Sequence, residues 1–235
     1  MLDEGEMNRA KGHVYKVRAE RVIAKLNKKN IAASLVLNRQ EALKSILEII
    51  PEGKTIGRGD SETIDQIGVF PELRTRGKNK IIDPYVKGPD GFLLERPERR
   101  KVMREALHAD IFLTGTNAIT LDGKLVNVDG FGNRISGMVF GPEKVIIVAS
   151  ANKIVSDVEE ALSRIRNFCA PTNALRHYFK HNIAEYADLP CVKLGYCTDC
   201  NHEYRIDHYT LIIDGSMPFN KGRINVVIVI EELGI

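Results

Sequence analysis

The sequence has no tryptophan, only four cysteines, and no apolar run long enough to cross a membrane. It also lacks the G-x-S-x-G pattern of many serine hydrolases and the H-E-x-x-H pattern of zinc proteases. The N-terminal stretch contains acidic residues and no apolar core, so no signal peptide is predicted. We therefore expect a cytoplasmic protein whose cysteines are free thiols or metal ligands rather than disulfides.

Neither sign of charge dominates the chain. It carries 34 Lys and Arg residues against 31 Asp and Glu residues, which gives a net charge of +3. Basic residues are frequent between positions 11 and 29, where they alternate with apolar residues as on the solvated face of a helix. Binding to nucleic acid usually requires a clustered basic surface. We accordingly predict no nucleic-acid partner and no membrane partner.

Helical and extended patterns alternate along the chain. Helices are predicted at 7–29, 40–50, 97–108 and 154–167, with a further helix after Pro171, and strands at 31–38, 54–57, 110–115, 144–150, 209–214 and 224–232. Several strands are continuous apolar runs, which is typical of strands covered on both faces. The predicted fold is therefore α/β, with a mainly parallel central sheet and helices on both faces.

Two further features concern organisation. The Gly- and Pro-rich segment between residues 71 and 91 is predicted to be irregular. Residues 1–190 are predicted to form one α/β domain, and residues 191–235 a cysteine-containing loop and strands that pack on it. The apolar strand at 224–232 is a candidate sheet edge, through which two copies could pair as a homodimer.

The stretch IGRGDSET at 56–63 joins a short strand to a helix. Gly57 and Gly59 would let a ligand approach the backbone, and Ser61 and Thr63 supply hydroxyl groups near a helix N-terminus, which favours anions. A phosphate or carboxylate site fits these residues, and so does an ordinary capped turn. The stretch is neither a Walker A motif nor G-x-G-x-x-G, because a glutamate occupies a required glycine position in each.

A second polar stretch, TGTNAITLDGKLVNVDGFGNR at 114–134, follows a predicted buried strand. Ligands bind at the carboxyl ends of strands in open α/β sheets, and a guanidinium such as that of Arg134 suits a carboxylate or phosphate. Turn chemistry alone would explain two or three such polar residues, and this stretch has more. The predicted ligand-binding residues here are Thr114, Gly115, Asn117, Asp129, Asn133 and Arg134.

Asn152 and Lys153 follow the next apolar strand and are predicted to bind the same ligand, although a plain helix start would also place them there. Asn173 and Arg176 could add a second cationic contact or cap a surface helix. No residue stands out as a catalytic base or nucleophile. His177, like the other histidines considered, is interpreted as a surface or capping residue.

Three of the four cysteines lie within ten residues, in CVKLGYCTDC at 191–200. The C-x-x-C pair of Cys197 and Cys200 can place two sulfur atoms around one ion, and Cys191 can supply a third. The polar flanks favour a zinc or iron–sulfur site over three core residues, and both metals accept thiolates. The candidates for the fourth ligand are His202, Asp207, His208 and Cys169.

Four blocks together resemble the lactate-utilization (LUD) domain family: IGRGDSETIDQIG, ADIFLTGTNAITLDGKLVNVDGFGNRISGMVFGPEKVIIV, NKIV and APTNALRH. The resemblance covers most of the chain. It implies a fold like that of the NagB/RpiA/CoA-transferase-like superfamily, in which a Gly/Ser/Thr loop often holds phosphate. The cysteine tail is similar to that of small stand-alone members, many of which have a further cysteine where this chain has Asp207.

Two hypotheses follow for the function. In the first, the protein is a component or accessory of L-lactate or related 2-hydroxy acid utilization, with an iron–sulfur cluster and redox partner proteins, as the resemblance implies. In the second, it is an isomerase-type or acyl-transfer enzyme, or a ligand-binding protein, with a structural zinc. Both predict a small anionic ligand, and neither decides whether the chain is catalytic.

Overall fold

A computed structural model describes residues 4–89 and 93–235 of the chain. The α-helices are α1 (Glu4–Lys28), α2 (Arg39–Ile49), α3 (Glu62–Ile67), α4 (Val69–Arg76), α5 (Arg96–Ala106), α6 (Asn133–Val139), α7 (Val158–Arg164), α8 (Ala170–His181) and α9 (Pro190–Leu194). The strands are β1 (Ala32–Val36), β2 (Thr55–Arg58), β3 (Lys80–Ile82), β4 (Ile111–Gly115), β5 (Ala118–Thr120), β6 (Leu125–Asp129), β7 (Lys144–Ser150), β8 (Ile154–Val155), β9 (Tyr209–Ile213) and β10 (Ile224–Val229).

The central sheet has six strands in the order β1-β10-β7-β4-β2-β3. Every neighbouring pair in it is parallel. Side chains of successive strand residues point to opposite faces, so Val145 and Ile147 of β7 join one apolar cluster while Ile146 and Val148 join another. The predicted α/β fold with a buried parallel sheet is thereby confirmed.

Different elements cover the two faces. Residues of α2, α3 and α4 pack on the face that contains Ile146, through side chains such as Ile46, Ile64 and Phe70. On the face that contains Ile147, the cover comes from α1 and from a second sheet with the strand order β8-β5-β6-β9. In this second sheet β6 pairs antiparallel with β5 and with β9.

Two expectations about local structure are wrong. The segment after Pro71 contains α4 and β3, because Pro71 lies in the first turn of α4, where a missing N–H costs no hydrogen bond; the end of that segment lies at residues 90–92, outside the described residues. Ile154 and Val155 form strand β8, and α7 begins after the Asp157 cap. Five π-helical residues then join α7 to α8.

Strand β10 is not a sheet edge. It lies between β1 and β7 and pairs with both along its length. The predicted pairing of two copies through this strand is therefore wrong, because its backbone N–H and C=O groups are already used. Within the described part of the chain, no helix is long and apolar enough to cross a membrane.

Candidate functional site

A cavity of about 410 Å³ opens at the carboxyl ends of β2, β4 and β7. The strands are parallel, so the residues that follow them meet at one edge of the sheet. Ser61 lies just after β2, Asn117 after β4 and Lys153 after β7, and all three line the cavity. The fold thus brings together segments that are far apart in sequence.

Seven of the twelve predicted ligand-binding residues line this cavity: Ser61, Gly115, Asn117, Asp129, Asn133, Arg134 and Lys153. The other five lie behind its wall. A Cβ atom on Gly57 would lie 2.4 Å from the carbonyl oxygen of Ala106, and one on Gly59 would lie 2.7 Å from Oγ1 of Thr114. These two glycines therefore allow close packing within the protein, and the approach of a ligand to their backbone stays a prediction.

The remaining three residues also contact protein groups or lie away from the cavity lining. Thr63 and Thr114 are buried, and Oγ1 of Thr63 accepts a hydrogen bond from Lys153. Asn152 lies in the short turn after β7, and its buried side-chain oxygen has no hydrogen-bond partner among the residues that the structure describes. Ser61 caps helix α3 by accepting a hydrogen bond from the backbone N–H of Ile64.

The Arg134 guanidinium group forms its hydrogen bonds with other groups of the protein. Its terminal nitrogens donate to the side-chain oxygens of Asn127 and Asn117 at 2.8 and 2.9 Å and to the carbonyl oxygens of Val128 and Gly115 at 2.7 and 3.3 Å. Its Nε atom lies 3.5 Å from Asp129. Arg134 therefore holds the ends of β4 and β6 together, and its N–H groups all contact protein atoms; its predicted contact with an anionic ligand stays a prediction.

An ion-pair network forms another wall of the cavity. Arg176 donates to both oxygens of Asp60, at 2.7 and 3.1 Å, and to Glu62 at 2.8 Å. Lys180 donates to Asp60 at 2.9 Å. Burial alone would raise the pKa of Asp60, but Lys180 and Arg176 outweigh it and hold that pKa well below its ordinary value. The Asp60 carboxylate is thus a fixed anion and an unsuitable proton acceptor.

Two histidines of α8 face the cavity as a pair. His177 and His181 stack with ring centroids 5.1 Å apart, and their facing nitrogens are 3.0 Å apart. Burial lowers the pKa of His177 to about 4, and burial together with His177 and Arg99 lowers that of His181 to about 3. The interpretation of His177 as a surface or capping residue is therefore wrong; both rings are neutral at pH 7.

Helix α5 supplies three arginines that the sequence reasoning missed. Arg96, Arg99 and Arg100 lie on one face of the helix and line the cavity. None of them has an ion pair with a carboxylate among the described residues; Arg99 approaches a nitrogen of His181 at 3.4 Å instead. Arg99 and Arg100 lie in the predicted helix 97–108 and Arg96 directly precedes it, so their spacing of three and four positions was the available signal.

Lys153 is the deepest cation of the cavity. Its side chain is 4% exposed, and Nζ donates to Oγ1 of Thr63 at 3.0 Å. Burial lowers the pKa of this amine to about 7, and the charge of Arg164 lowers it further in the same direction. An appreciable fraction of Lys153 is therefore neutral near pH 7, which suits an amine that accepts a proton or attacks an electrophile.

The predicted metal ligands lie beside the cavity, and the structure assembles them in part. Sγ of Cys197 is 3.1 Å from Oδ2 of Asp207. Cys197, Asp199 and Asp207 offer ligand atoms within 4.8 Å of one another, whereas Cys191 and Cys200 fall outside that group among the described residues. Both of these cysteines lie in the adjoining apolar cluster with Tyr186.

The four predicted metal ligands are close enough for their charges to affect one another. Burial, followed by the charges of Cys197, Cys200 and Asp207, raises the pKa of Cys191 to about 11. Cys169, a candidate for the fourth ligand, belongs to a different apolar cluster and accepts a hydrogen bond from Arg164 at 2.8 Å. Asp207 is therefore the candidate fourth ligand that the structure places nearest to the thiols.

Comparisons with known proteins give one family match and several structural neighbours. The family model of the LUD domain matches residues 19–229. A DUF162 family protein from Deinococcus radiodurans is similar in structure, with a TM-score of 0.50 at 15% identity over 92% of this chain and 98% of that chain. Ribose 5 phosphate isomerase A from Neisseria gonorrhoeae has a TM-score of 0.36 at 14% identity over 84% of this chain and 94% of that chain. The comparison with curated proteins finds no match.

Fold and site together define an α/β protein with a basic cavity at the carboxyl edge of a six-stranded parallel sheet. The family model extends from α1 to the end of β10 and so includes every strand of that sheet. The protein belongs to the LUD domain family.

Proposed function

We propose that this LUD-family protein is a component or accessory of the utilization of L-lactate or a related 2-hydroxy acid, and that its cavity binds the organic acid. The observation that carries the proposal is the basic face of α5. Arg96, Arg99 and Arg100 face the cavity without a carboxylate partner among the described residues. Arginines that the protein does not neutralise are well suited to bind a carboxylate.

The balance of charge around the cavity supports an anionic ligand. Seven basic and four acidic side chains line it. Two of the acids, Asp60 and Glu62, are paired with Arg176. The unneutralised charge of the lining is therefore positive, and it would attract a small anion into the cavity.

In the same proposal, Cys191, Cys197, Cys200 and Asp207 hold an iron–sulfur cluster or a zinc ion. These four residues fit either group because three thiols and a carboxylate are ligand types that zinc and iron–sulfur clusters accept. The thiols must lose their protons to bind, and the raised pKa of Cys191 gives a reason for metal binding to be strongly pH-dependent. An electron-transfer role would require redox partner proteins.

Calorimetric titration with L-lactate and with pyruvate tests the binding proposal. Arg99→Gln should weaken binding roughly tenfold or more, because a hydrogen bond to a charged group contributes about 1.5–3 kcal/mol. Arg104→Gln is the matched control, because Arg104 lies on α5 but is exposed and away from the cavity. Absence of binding by the unmodified protein, or equal effects of the two variants, would refute the proposal.

Metal analysis of protein purified without oxygen tests the second part. Iron and sulfide with a broad visible absorption band would support a cluster, and one zinc per chain without colour would support a structural zinc. Cys197→Ser should remove either metal. A protein that contains neither metal after anaerobic purification would refute the assignment of these cysteines as ligands.

The alternative is an enzyme or binding protein for a phosphorylated or acylated small molecule. The size of the cavity favours it, because about 410 Å³ lies within the range of pockets for ligands much larger than a three-carbon acid. A thermal-shift comparison of sugar phosphates and coenzyme A esters with lactate separates the two candidates. Stabilisation by a phosphorylated compound alone would favour this alternative.

A further inference from the structure

Lys153 differs from the other cations that the cavity encloses. Buried lysines are normally paired with a carboxylate, yet Lys153 has no ion pair with a carboxylate among the described residues. Its only hydrogen-bond partner in that part of the chain is the Thr63 hydroxyl group, at 3.0 Å. Lys153 is nevertheless one of the residues that line the cavity.

The groups around Lys153 favour a neutral amine. Arg164 of α7 and Arg134 of α6 face it and repel a positive charge, whereas Glu62 of α3 and Cys169 act in the opposite direction. Burial makes the largest contribution to the lowered pKa of Lys153, because an ammonium group loses its hydration in the wall of the cavity. A neutral lysine amine in a desolvated site is a nucleophile toward carbonyl groups.

We propose that the Nζ atom of Lys153 forms an imine with the carbonyl carbon of a 2-oxo acid that is bound in the cavity. The inference rests on the proposed function, because a 2-oxo acid is the oxidised counterpart of a 2-hydroxy acid. It adds a covalent step that anion binding does not require. The carboxylate of such a ligand provides the charge that the basic lining attracts, and the adjacent carbonyl group is the electrophile.

The step is a condensation and needs no oxidant or reductant. The Nζ lone pair forms a bond to the carbonyl carbon, and the carbonyl oxygen takes up a proton to give a carbinolamine. Nitrogen loses one proton at this stage and a second when the imine forms; the hydroxyl oxygen takes up a second proton, the carbon–oxygen bond breaks, and one water molecule leaves. The Thr63 hydroxyl, which already contacts Nζ, is placed to pass protons between the nitrogen and the departing water.

The test traps the imine with sodium cyanoborohydride in the presence of pyruvate. Intact-mass analysis should show one added group per chain, equal to pyruvate minus water plus two hydrogen atoms. Peptide mapping of the trapped protein, without any amino-acid substitution, should locate the added group on Lys153. Lys153→Arg and Lys153→Met should abolish the adduct, whereas Lys101→Arg should retain it, because Lys101 is exposed on α5 and does not line the cavity.

The pH dependence distinguishes Lys153 from surface lysines. The trapping rate should rise as the pH passes through about 7, where the Lys153 amine loses its proton, and then level off. An exposed lysine, whose pKa is about 10.4, should continue to gain reactivity well above that pH. An adduct spread over exposed lysines, with no preference for Lys153, would overturn the inference.

The outcomes separate this inference from the proposed function. If calorimetry detects pyruvate binding but no adduct forms on Lys153, the imine is refuted and the binding proposal stands. If L-lactate binds but pyruvate neither binds nor reacts, the imine is refuted and the binding of a 2-hydroxy acid stands; if neither acid binds, the binding proposal fails and the imine with it. Because peptide mapping is done on the unmodified protein, the test does not depend on whether the Lys153 variants fold.

Discussion

The substitution Asp60→Asn tests how strongly the ion-pair network supports the fold. It removes one negative charge and keeps the size of the side chain nearly unchanged. Arg176 then keeps at most one of its two acceptor oxygens on residue 60, and Lys180, which now lies 2.9 Å from an oxygen of the Asp60 carboxylate, loses its negatively charged partner. Both cations remain in positions where their side chains are only 18% and 16% exposed.

The expected loss of stability follows from burial. Removing one partner of a buried ion pair leaves the other charge uncompensated and typically costs about 3–5 kcal/mol. The groups here keep some contact with solvent, and Glu62 still pairs with Arg176. We therefore expect Asp60→Asn to lower the free energy of unfolding by about 2–3 kcal/mol, below the full value for a buried pair.

Urea denaturation followed by circular dichroism measures this difference. Asp214→Asn is the matched control, because Asp214 forms an exposed pair with Lys29 in which the carboxylate is 66% exposed. Exposed pairs contribute about 0–1 kcal/mol, so the control should change stability little. If the two variants lose the same amount, burial does not strengthen the Asp60 network and the reasoning is refuted.

Two further predictions concern the histidine pair and a packing glycine. Unfolded histidines bind protons near pH 6.5, while burial lowers the pKa of His177 to about 4 and that of His181 to about 3. Between pH 6.5 and pH 4 the unfolded state thus binds more protons, and the free energy of unfolding should fall by on the order of 6 kcal/mol from pH 7 to pH 4, about half of it from each histidine. Denaturation at pH 7 and pH 4 should show a smaller fall in the free energy of unfolding for the double variant His177→Gln/His181→Gln. An unchanged fall would show that the two histidines do not cause it. Gly57→Ala should cost about 1–3 kcal/mol, because the new Cβ would meet the Ala106 carbonyl at 2.4 Å. Gly12 lies within α1 and has open space where a Cβ atom would be, so Gly12→Ala should be neutral or slightly stabilising in the same assay.

Much of the fold could be predicted from the sequence because its strands are strongly apolar. Runs such as that at 144–150 have few alternatives to a strand buried on both faces, and the structure confirms β7 there. The position of β10 could not be predicted in this way. Strand order depends on which surfaces fit together in space, so a strand near the C-terminus gave no sign that it lies between β1 and β7.

The candidate site was accessible to sequence reasoning where polar residues directly follow strands. That rule placed Ser61, Asn117 and Lys153 at one edge of the sheet, where the structure has the cavity. It could not find His177 or Arg99, because they come from helices that fold over the edge. Their place in the cavity depends on how α8 and α5 pack, and a helical pattern shows only which residues share a face.

Burial explains which cations of the cavity remain available to a ligand. A deeply placed charge needs protein partners to replace its hydration, which Arg134 obtains from the ends of β4 and β6. Arg96 and Arg100 are exposed, so water can solvate them and an anion can replace that water at little cost. Lys153 is buried and has no carboxylate partner among the described residues, and the remaining way to lower the cost is to lose its proton. The same energetic rule that frees the outer arginines for an anion therefore lowers the pKa of the Lys153 amine to about 7, so that part of it is neutral near that pH.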